Sequence, residues 1–258
     1  IRSYPEMLRT ARLARKKLEK IIDEFGIDVI ISDNRYELQS PRVYSIFITH
    51  QLHIHTTGLS SLASTFIHSR IYGFIKMFDE LWIPDFEEEP HLSGKLGHPE
   101  KMPLENYAYI GPLSRFSLAE ETEKPEKVKL LVPLSGPEPQ RTMLEEIICA
   151  QIAGSGIEAT VLRGMPGETD IKREGNITFL PHAQDHELLA LIKSADHIIC
   201  RPGYSTVMDL AVVGKKACFV PTPGQTEQEY LSGYYMENNW YPCQEQKDFD
   251  LGTALDDS

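Results

Sequence analysis

Short apolar runs bounded by turn residues alternate along this chain with longer stretches of helical spacing. Met7–Phe25 repeats its apolar positions at helical intervals and stops at Gly26, and Ile27–Asp33 then reads as a strand. A polar loop over 34–41 leads to a second strand, Val43–Thr49, that ends in His50-Gln51. Leu59–Phe78 returns to helical spacing, and Leu81–Pro84 is a short strand. Further on, Lys129–Leu134, Ala159–Arg163, Ile177–His182, Asp196–Cys200 and Ala217–Val220 read as buried strands. The helices Met143–Ala153, Glu187–Ser194 and Val207–Val213 fall between them, and the turn 221–226 opens another. Strands alternating with helices predict parallel sheets with right-handed crossovers. The gap 164–175 is glycine-rich and reads as a loop. No internal repeat interrupts this order.

The alternation breaks once. Ala119–Lys127 is nearly all charge and proline with no periodicity, which marks a boundary. The expected division is a first lobe over 1–118, a linker over 119–128 and a second lobe over 129–258. The first lobe opens on Ile1 and runs directly into a helix. It reads as the middle of a strand–helix series whose first units are missing.

Composition narrows the classes. The chain has 258 residues, 41% apolar and 25% charged, which is ordinary for globular protein. A net charge of -12 argues against a general nucleic-acid binder, which needs a basic face, though not against a site for one nucleotide. No apolar run approaches the roughly 18 residues that span a bilayer, and no signal-peptide pattern opens the chain. The four cysteines are widely spaced with no C-x-x-C pair, as expected of reduced thiols in a cytosol rather than a disulfide frame or zinc site. His50, His53 and His55 lack the acid or cysteine that would complete a metal set, so a polar loop is the favoured reading and no metal is expected. The basic run Arg9, Arg12, Arg15, Lys16, Lys17 and Lys20 fits a solvated helix face better than a membrane-facing one.

The most informative segment joins the strand ending at Cys200 to the helix after it. Gly203, Ser205 and Thr206 fall at that turn, where free N–H groups of a helix N-terminus meet whatever lies in front. Glycine lets a ligand approach the backbone and the hydroxyls add donors. Asp209 lies one turn further in, within reach of a group beyond a phosphate, such as a ribose hydroxyl. The competing reading is an ordinary capped helix. Pro221–Tyr230 is a second strand end rich in proline, glycine and polar groups, and ligands of open parallel sheets bind at such ends. Ser135 and Gly136 begin another strand-to-helix loop. Asp33, Asn34, Arg35, His50 and Gln51 follow strand ends in the first lobe.

From Ala195 to Tyr230 the sequence resembles the donor-binding half of GT-B glycosyltransferases, and within them the family 28 that contains the bacterial N-acetylglucosaminyltransferase of peptidoglycan lipid synthesis. It is also similar to the signature box of plant glycosyltransferases: glycine, a hydroxyl pair, an acid six residues after the glycine, then an acid-Gln pair. Those positions are Gly203, Ser205 and Thr206, Asp209, and Glu227-Gln228. The resemblance implies two Rossmann-like lobes facing a cleft, the first incomplete. It implies that Gly203, Ser205 and Thr206 hold the donor diphosphate, with the Ser135-Gly136 loop nearby. Asp209 would bind ribose, Glu227 or Gln228 the sugar, and the backbone at Leu180 the base, with His182 close by. Two positions depart from the pattern: the acid is usually Glu, and Arg201 stands where plant members carry His. As an arginine it fits a phosphate fork or a strand-end partner of an acid. Asp33, Asn34, His50 and Gln51 become acceptor-side residues, and Gly111-Pro112 matches the turn before the donor lobe. The catalytic base would lie on an early loop that this sequence does not contain.

The activity implied is an inverting, metal-independent transfer from a nucleotide-sugar, UDP-linked, with no other cofactor. The acceptor is unassigned; a lipid-linked or glycan acceptor fits the resemblance, as does a cytoplasmic cell-envelope enzyme with peripheral contact at the inner membrane face. Two alternatives remain open: a sugar-nucleotide epimerase of the same shape, and a non-catalytic nucleotide-sugar-binding subunit.

Overall fold

The structure is a computed structural model that describes residues 4–53, 61–117 and 127–256. It divides into two compact units, Ile1–Gly111 and Pro112–Ser258. The division falls a few residues before the expected one: Pro112–Ser117 packs with the second unit, and the charged stretch read as a linker lies largely outside the described residues.

The first unit is a four-stranded, wholly parallel sheet in the order β1 (Val29–Asp33), β2 (Tyr44–Ile48), β3 (Glu80–Ile83), β4 (Tyr107–Tyr109). Helix α1 (Tyr4–Phe25) precedes β1, and α2 (Ser61–Ile75) joins β2 to β3. Its core gathers Phe47, Leu52, Ile75, Phe78, Leu81 and Ile83, with Phe47 between Tyr36 and Phe78 at 4.8 Å from each ring. The basic residues of α1 that raised the question of a membrane face are all exposed. No described helix is long and apolar enough to cross a membrane.

The second unit is a six-stranded sheet in the order β10-β9-β5-β6-β8-β7. Its strands are β5 (Val128–Pro133), β6 (Ala159–Leu162), β7 (Lys172–Glu174), β8 (Ile177–Leu180), β9 (Ala195–Cys200) and β10 (Cys218–Phe219). All pairs are parallel except β7–β8. Its helices are α3 (Gln140–Ser155), α4 (Asp185–Ser194), α5 (Tyr204–Val213), α6 (Thr226–Glu237) and α7 (Leu251–Asp256). The core is continuous from Leu130 and Val132 through Ile148, Val161 and Ile199 to Val220.

Local chemistry explains most boundaries. Gln184 and Glu187 form a reciprocal capping box at the start of α4. Gly156 and Gly214 close α3 and α5 in the left-handed region, at φ 71° and 70°. One strand went unread: β7 lies in the glycine-rich gap, and its three residues are all exposed, so no apolar alternation marks it.

Candidate functional site

β9 delivers the chain to α5, and the turn between them is open. Gly203 is the N-cap of α5, at φ -67° and ψ 135°, and no side chain bonds the cap. A Cβ placed on Gly203 would meet nothing nearer than Thr206 Oγ1, at 3.9 Å. Neither backbone conformation nor internal packing therefore asks for glycine here. The helix begins at Tyr204 rather than Val207, which puts Ser205 and Thr206 inside its first turn; Ser205 is exposed and Thr206 half-buried.

Arg201, two residues before the cap, is not placed as expected. It is 1% exposed, and its fork faces neither outward nor an acid. Nη1 donates to the carbonyls of Val220 and Pro221, both at 2.9 Å. Nη2 donates to the carbonyl of Gln140 at 3.0 Å and to Gln246 Oε1 at 2.5 Å. The side chain thus ties the end of β9 to the start of α3 and to the segments after β10. Every acceptor is neutral. Burial alone moves its pKa, down to about 10, so the guanidinium stays charged at neutral pH. Among the described residues no carboxylate pairs with it. A buried cation with no paired carboxylate, two residues before a helix N-terminus, adds to the positive potential at that end of the helix.

Asp209 also differs from expectation. It is 4% exposed and turned toward the segment that precedes the second unit's first strand. Oδ1 accepts from Ser114 Oγ at 2.7 Å and Oδ2 from Arg115 Nε at 3.0 Å. Arg115 Nη1 continues to Asp185 Oδ1 at 3.1 Å, at the start of α4. Sequence reasoning missed Ser114 and Arg115, which lie about a hundred residues from their partner.

The remaining residues expected on the donor side follow the same ends of the sheet's parallel strands. Ser135 and Gly136 are exposed after β5, and Gly136 holds φ 102°, a conformation that favours glycine. Leu180 ends β8, where its carbonyl already accepts from Arg163 N at 2.9 Å. Beside it opens a cavity of about 760 Å³ lined by Leu180, His182, Gln184, Thr169 and Glu187 among others. Of the acid-Gln pair, Gln228 is buried and its Oε1 accepts from Thr222 N at 2.8 Å, bracing the loop after β10. Glu227 is half-buried.

In the first unit the residues expected on the acceptor side follow two adjacent strands, β1 and β2. Asn34, at φ 52°, donates its N–H to the Ile48 carbonyl and accepts from Thr49 Oγ1 at 3.3 Å. Thr49 Oγ1 in turn accepts from Gln51 N at 3.0 Å. Asp33 is exposed at the end of β1 and His50 half-buried after β2. His53 rests its ring 4.5 Å from that of His68, and His55 lies outside the described residues.

A further polar cluster sits at the ends of β3 and β4. Asp85 is fully buried and accepts from the N–H groups of Phe86, Leu92 and Ser93, at 2.7–2.8 Å, and from the Ser93 hydroxyl. His98 Nε2 lies 3.3 Å from Asp85 Oδ2. The His98 ring stacks on Tyr109 at 4.6 Å and meets the His91 ring edge-on at 3.6 Å. Burial alone would raise Asp85, but the approach of His98 and the hydrogen bonds from Ser93 and Leu92 outweigh it and hold the carboxyl below its ordinary value. Burial, with His98 adding to it, lowers His91. Burial also pushes Tyr109 up to about 12. The rule that singled out Asp33 and His50, a polar residue just past a strand, applies equally to Asp85.

The motif block and its surroundings can now be set beside known proteins. Residues 163–235 match the glycosyltransferase family 28 C-terminal domain. Over 80 residues the chain is 41% identical to a UDP-N-acetylglucosamine–N-acetylmuramyl-(pentapeptide) pyrophosphoryl-undecaprenol N-acetylglucosamine transferase of Desulforudis audaxviator, covering 30% of this chain and 20% of that protein. Over 252 residues it is 26% identical to an uncharacterized glycosyltransferase of Methanosarcina acetivorans, covering 88% of this chain and 63% of the relative. The chain thus spans less than two thirds of either relative. The glycosyltransferase SnogD of Streptomyces nogalater shares the fold, with a TM-score of 0.60 at 13% identity over 96% of this chain and 70% of that one. The architecture is of the GT-B type, and the family 28 match runs from the end of β6 through most of α6.

Proposed function

We propose that this chain belongs to a glycosyltransferase that moves a sugar from a nucleoside-diphosphate donor to an acceptor hydroxyl. The observation that carries this reading is the pairing of Arg201, buried and without a counter-charge, with the open, uncapped start of α5. In such a transfer the acceptor oxygen attacks the anomeric carbon from the face opposite the leaving group and gives up its proton to a general base or to solvent. The bond from that carbon to the β-phosphate oxygen breaks, and its electron pair leaves with the diphosphate. The negative charge that develops is met by the helix N-terminus, the Ser205 and Thr206 hydroxyls and the field of Arg201. On this reading the reaction inverts the anomeric centre and takes no divalent cation.

The family 28 match over β8, β9 and α5 supports this assignment. The name of the Desulforudis relative favours a UDP-linked donor and a lipid-linked acceptor. A lipid-linked acceptor would in turn bring the protein to the inner face of a membrane, and the exposed cations of α1 are compatible with that contact. Ser135, Gly136, Leu180 and Glu227 are retained as donor-side candidates, and Asp33, Asn34, His50 and Gln51 as acceptor-side ones.

Calorimetric titration with UDP, GDP and ADP tests the first step. Selective heat with UDP is the expected result, followed by free UDP released from a UDP-sugar when an acceptor is added. Silence with all three nucleotides would overturn the reading.

A further inference from the structure

In the first unit the segment after β3 is clamped to the segment after β2 by a knot built around Asp85. Its carboxylate takes the N–H groups of Phe86, Leu92 and Ser93 and the Ser93 hydroxyl, so both oxygens are engaged. Ser93 Oγ in turn accepts from Gly97 N at 3.1 Å, and the Gly97 carbonyl accepts from the Tyr109 hydroxyl at 3.1 Å. The segment so folded reaches the chain after β2. The Leu96 carbonyl accepts from Leu52 N at 2.8 Å and from His53 N at 3.0 Å. A Cβ on Gly97 would strike Ser93 Oγ and lie 3.5 Å from the His50 carbonyl oxygen, so the two segments meet main chain to main chain. Leu52, Leu92 and Leu96 pack between them at 1%, 6% and 3% exposure.

Two imidazoles lie against this knot. His98 Nε2 is 3.3 Å from Asp85 Oδ2, its ring stacks on Tyr109, and the His91 ring meets it edge-on with centres 3.6 Å apart. Two imidazolium ions that close repel, and the one carboxylate between them already receives several donors. Asp85 and Glu89 favour a proton on His91, His98 opposes it, and burial outweighs the acids and keeps His91 below its ordinary value. From β4 come Tyr107 and Tyr109, and Glu87 faces Tyr109, whose phenol stays protonated. The β2 side contributes the main chain of His50, Leu52 and His53, and the His53 ring lies against His68 of α2.

We infer that His91 and His98 form a proton-operated latch: with at most one of them charged, 92–97 stays clamped to the chain after β2, and when both carry protons it separates and releases the Leu52 and His53 N–H groups. The sign follows from burial. The clamped state favours neutral His91, and the open state returns it to water and to an ordinary pKa of about 6.5. The clamp is therefore at full strength above that value, and opening gains up to about thirtyfold between pH 7.5 and pH 5. The latch stands whether or not the glycosyl-transfer reading holds; on that reading it frees the chain beside His50 and Gln51, on the acceptor side.

Amide hydrogen exchange of the full chain, read residue by residue at pH 7.5 and pH 5 and corrected for the intrinsic pH dependence of exchange, tests this. Protection at Leu52, His53 and Gly97 is expected to fall about tenfold or more on acidification. Leu134, whose N–H bonds the Leu162 carbonyl in the second unit, should change by less than about threefold. Asn34, whose N–H bonds the Ile48 carbonyl, should remain the slower to exchange at pH 5. In H91Q the three amides should keep the same protection at both pH values within about threefold. In H98Q, where His91 keeps its burial but loses the facing charge, the fall should be smaller than in the parent. Each reading is a ratio between two pH values, so a variant whose clamp is weaker throughout still reports. Protection that does not change with pH in the parent overturns the inference, as does a fall in H91Q as large as the parent's. Exchange at Asn34 as fast as at the three amides would mean that the first unit opens as a whole, and the latch would fall.

Discussion

A buried arginine whose hydrogen-bond partners are all neutral does two things at once, and substitution can separate them. Arg201→Met removes both the charge and the donors to Val220, Pro221, Gln140 and Gln246. Stability should fall by about 3 kcal/mol, because several buried acceptors lose their donor, and UDP affinity should fall at least tenfold. Arg201→Lys keeps the charge but not the fork; it should lose comparable stability and retain more of the UDP affinity. Thermal melts beside titrations check this, and equal affinity losses in the two variants would rule out the field as the cause. In the first unit, His91 titrates below its ordinary value through burial, facing His98, Asp85 and Glu89. As pH falls through about 6.5 the unfolded chain gains that proton and the fold resists it, so stability is lost on acidification from there downward. Asp85, also lowered, adds a second loss below about pH 4. With Trp240→Phe, the melting midpoint followed by Trp82 fluorescence should drop between pH 7 and 5.5, and adding His91→Gln should flatten that slope. Identical slopes would remove His91 from the effect. Of these residues the resemblance marked Arg201, at the position where plant members carry His. It could not show where the fork points, because the partners Gln140 and Gln246 lie 61 and 45 positions away.

Elements were more legible than contacts, and the start of α5 shows why. An apolar strand, a glycine and two hydroxyls before a helical run are local features, and local spacing is what a sequence displays. The same locality gave the glycine that stops α1, Gly26, and the alternation that implies parallel sheets. It failed at β7, where three exposed residues pair with β8 without an apolar face, and it could not fix the strand order, which puts β5 beside β9. Nor could it pair Ser114 with Asp209, 95 positions apart, since no period links them. The α5 turn also yields a test that separates folding from binding. In Gly203→Ala the new methyl would meet only Thr206 Oγ1, at 3.9 Å, and φ is already one that alanine adopts. Stability should change by no more than about 1 kcal/mol, the scale of an N-cap substitution. UDP affinity should nonetheless fall tenfold or more, because the methyl occupies space the diphosphate would use. A variant that binds UDP as the parent does would place the phosphates elsewhere.

At the scale of the whole molecule, the two units carry separate cores and one tryptophan each, Trp82 in the first and Trp240 in the second. Every residue proposed to meet the donor belongs to the second. A ligand that binds only the folded state stabilises what it binds by RT ln(1 + [L]/Kd), about 2.7 kcal/mol at a hundredfold excess over Kd. With Trp82→Phe, the remaining Trp240 reports the unit that holds α5, and its unfolding midpoint should rise with UDP. With Trp240→Phe, Trp82 reports the other unit, and its midpoint should move less. The comparison uses the full chain in both variants, so neither unit has to fold alone. A shift confined to Trp240 would locate the stabilising contacts in residues 112–258, in agreement with the α5 and Arg201 argument. An equal shift at Trp82 would mean that the nucleotide's effect reaches the first unit as well, and the search for donor contacts would then extend to His50, Gln51 and the Asp85 cluster at the strand ends of that sheet.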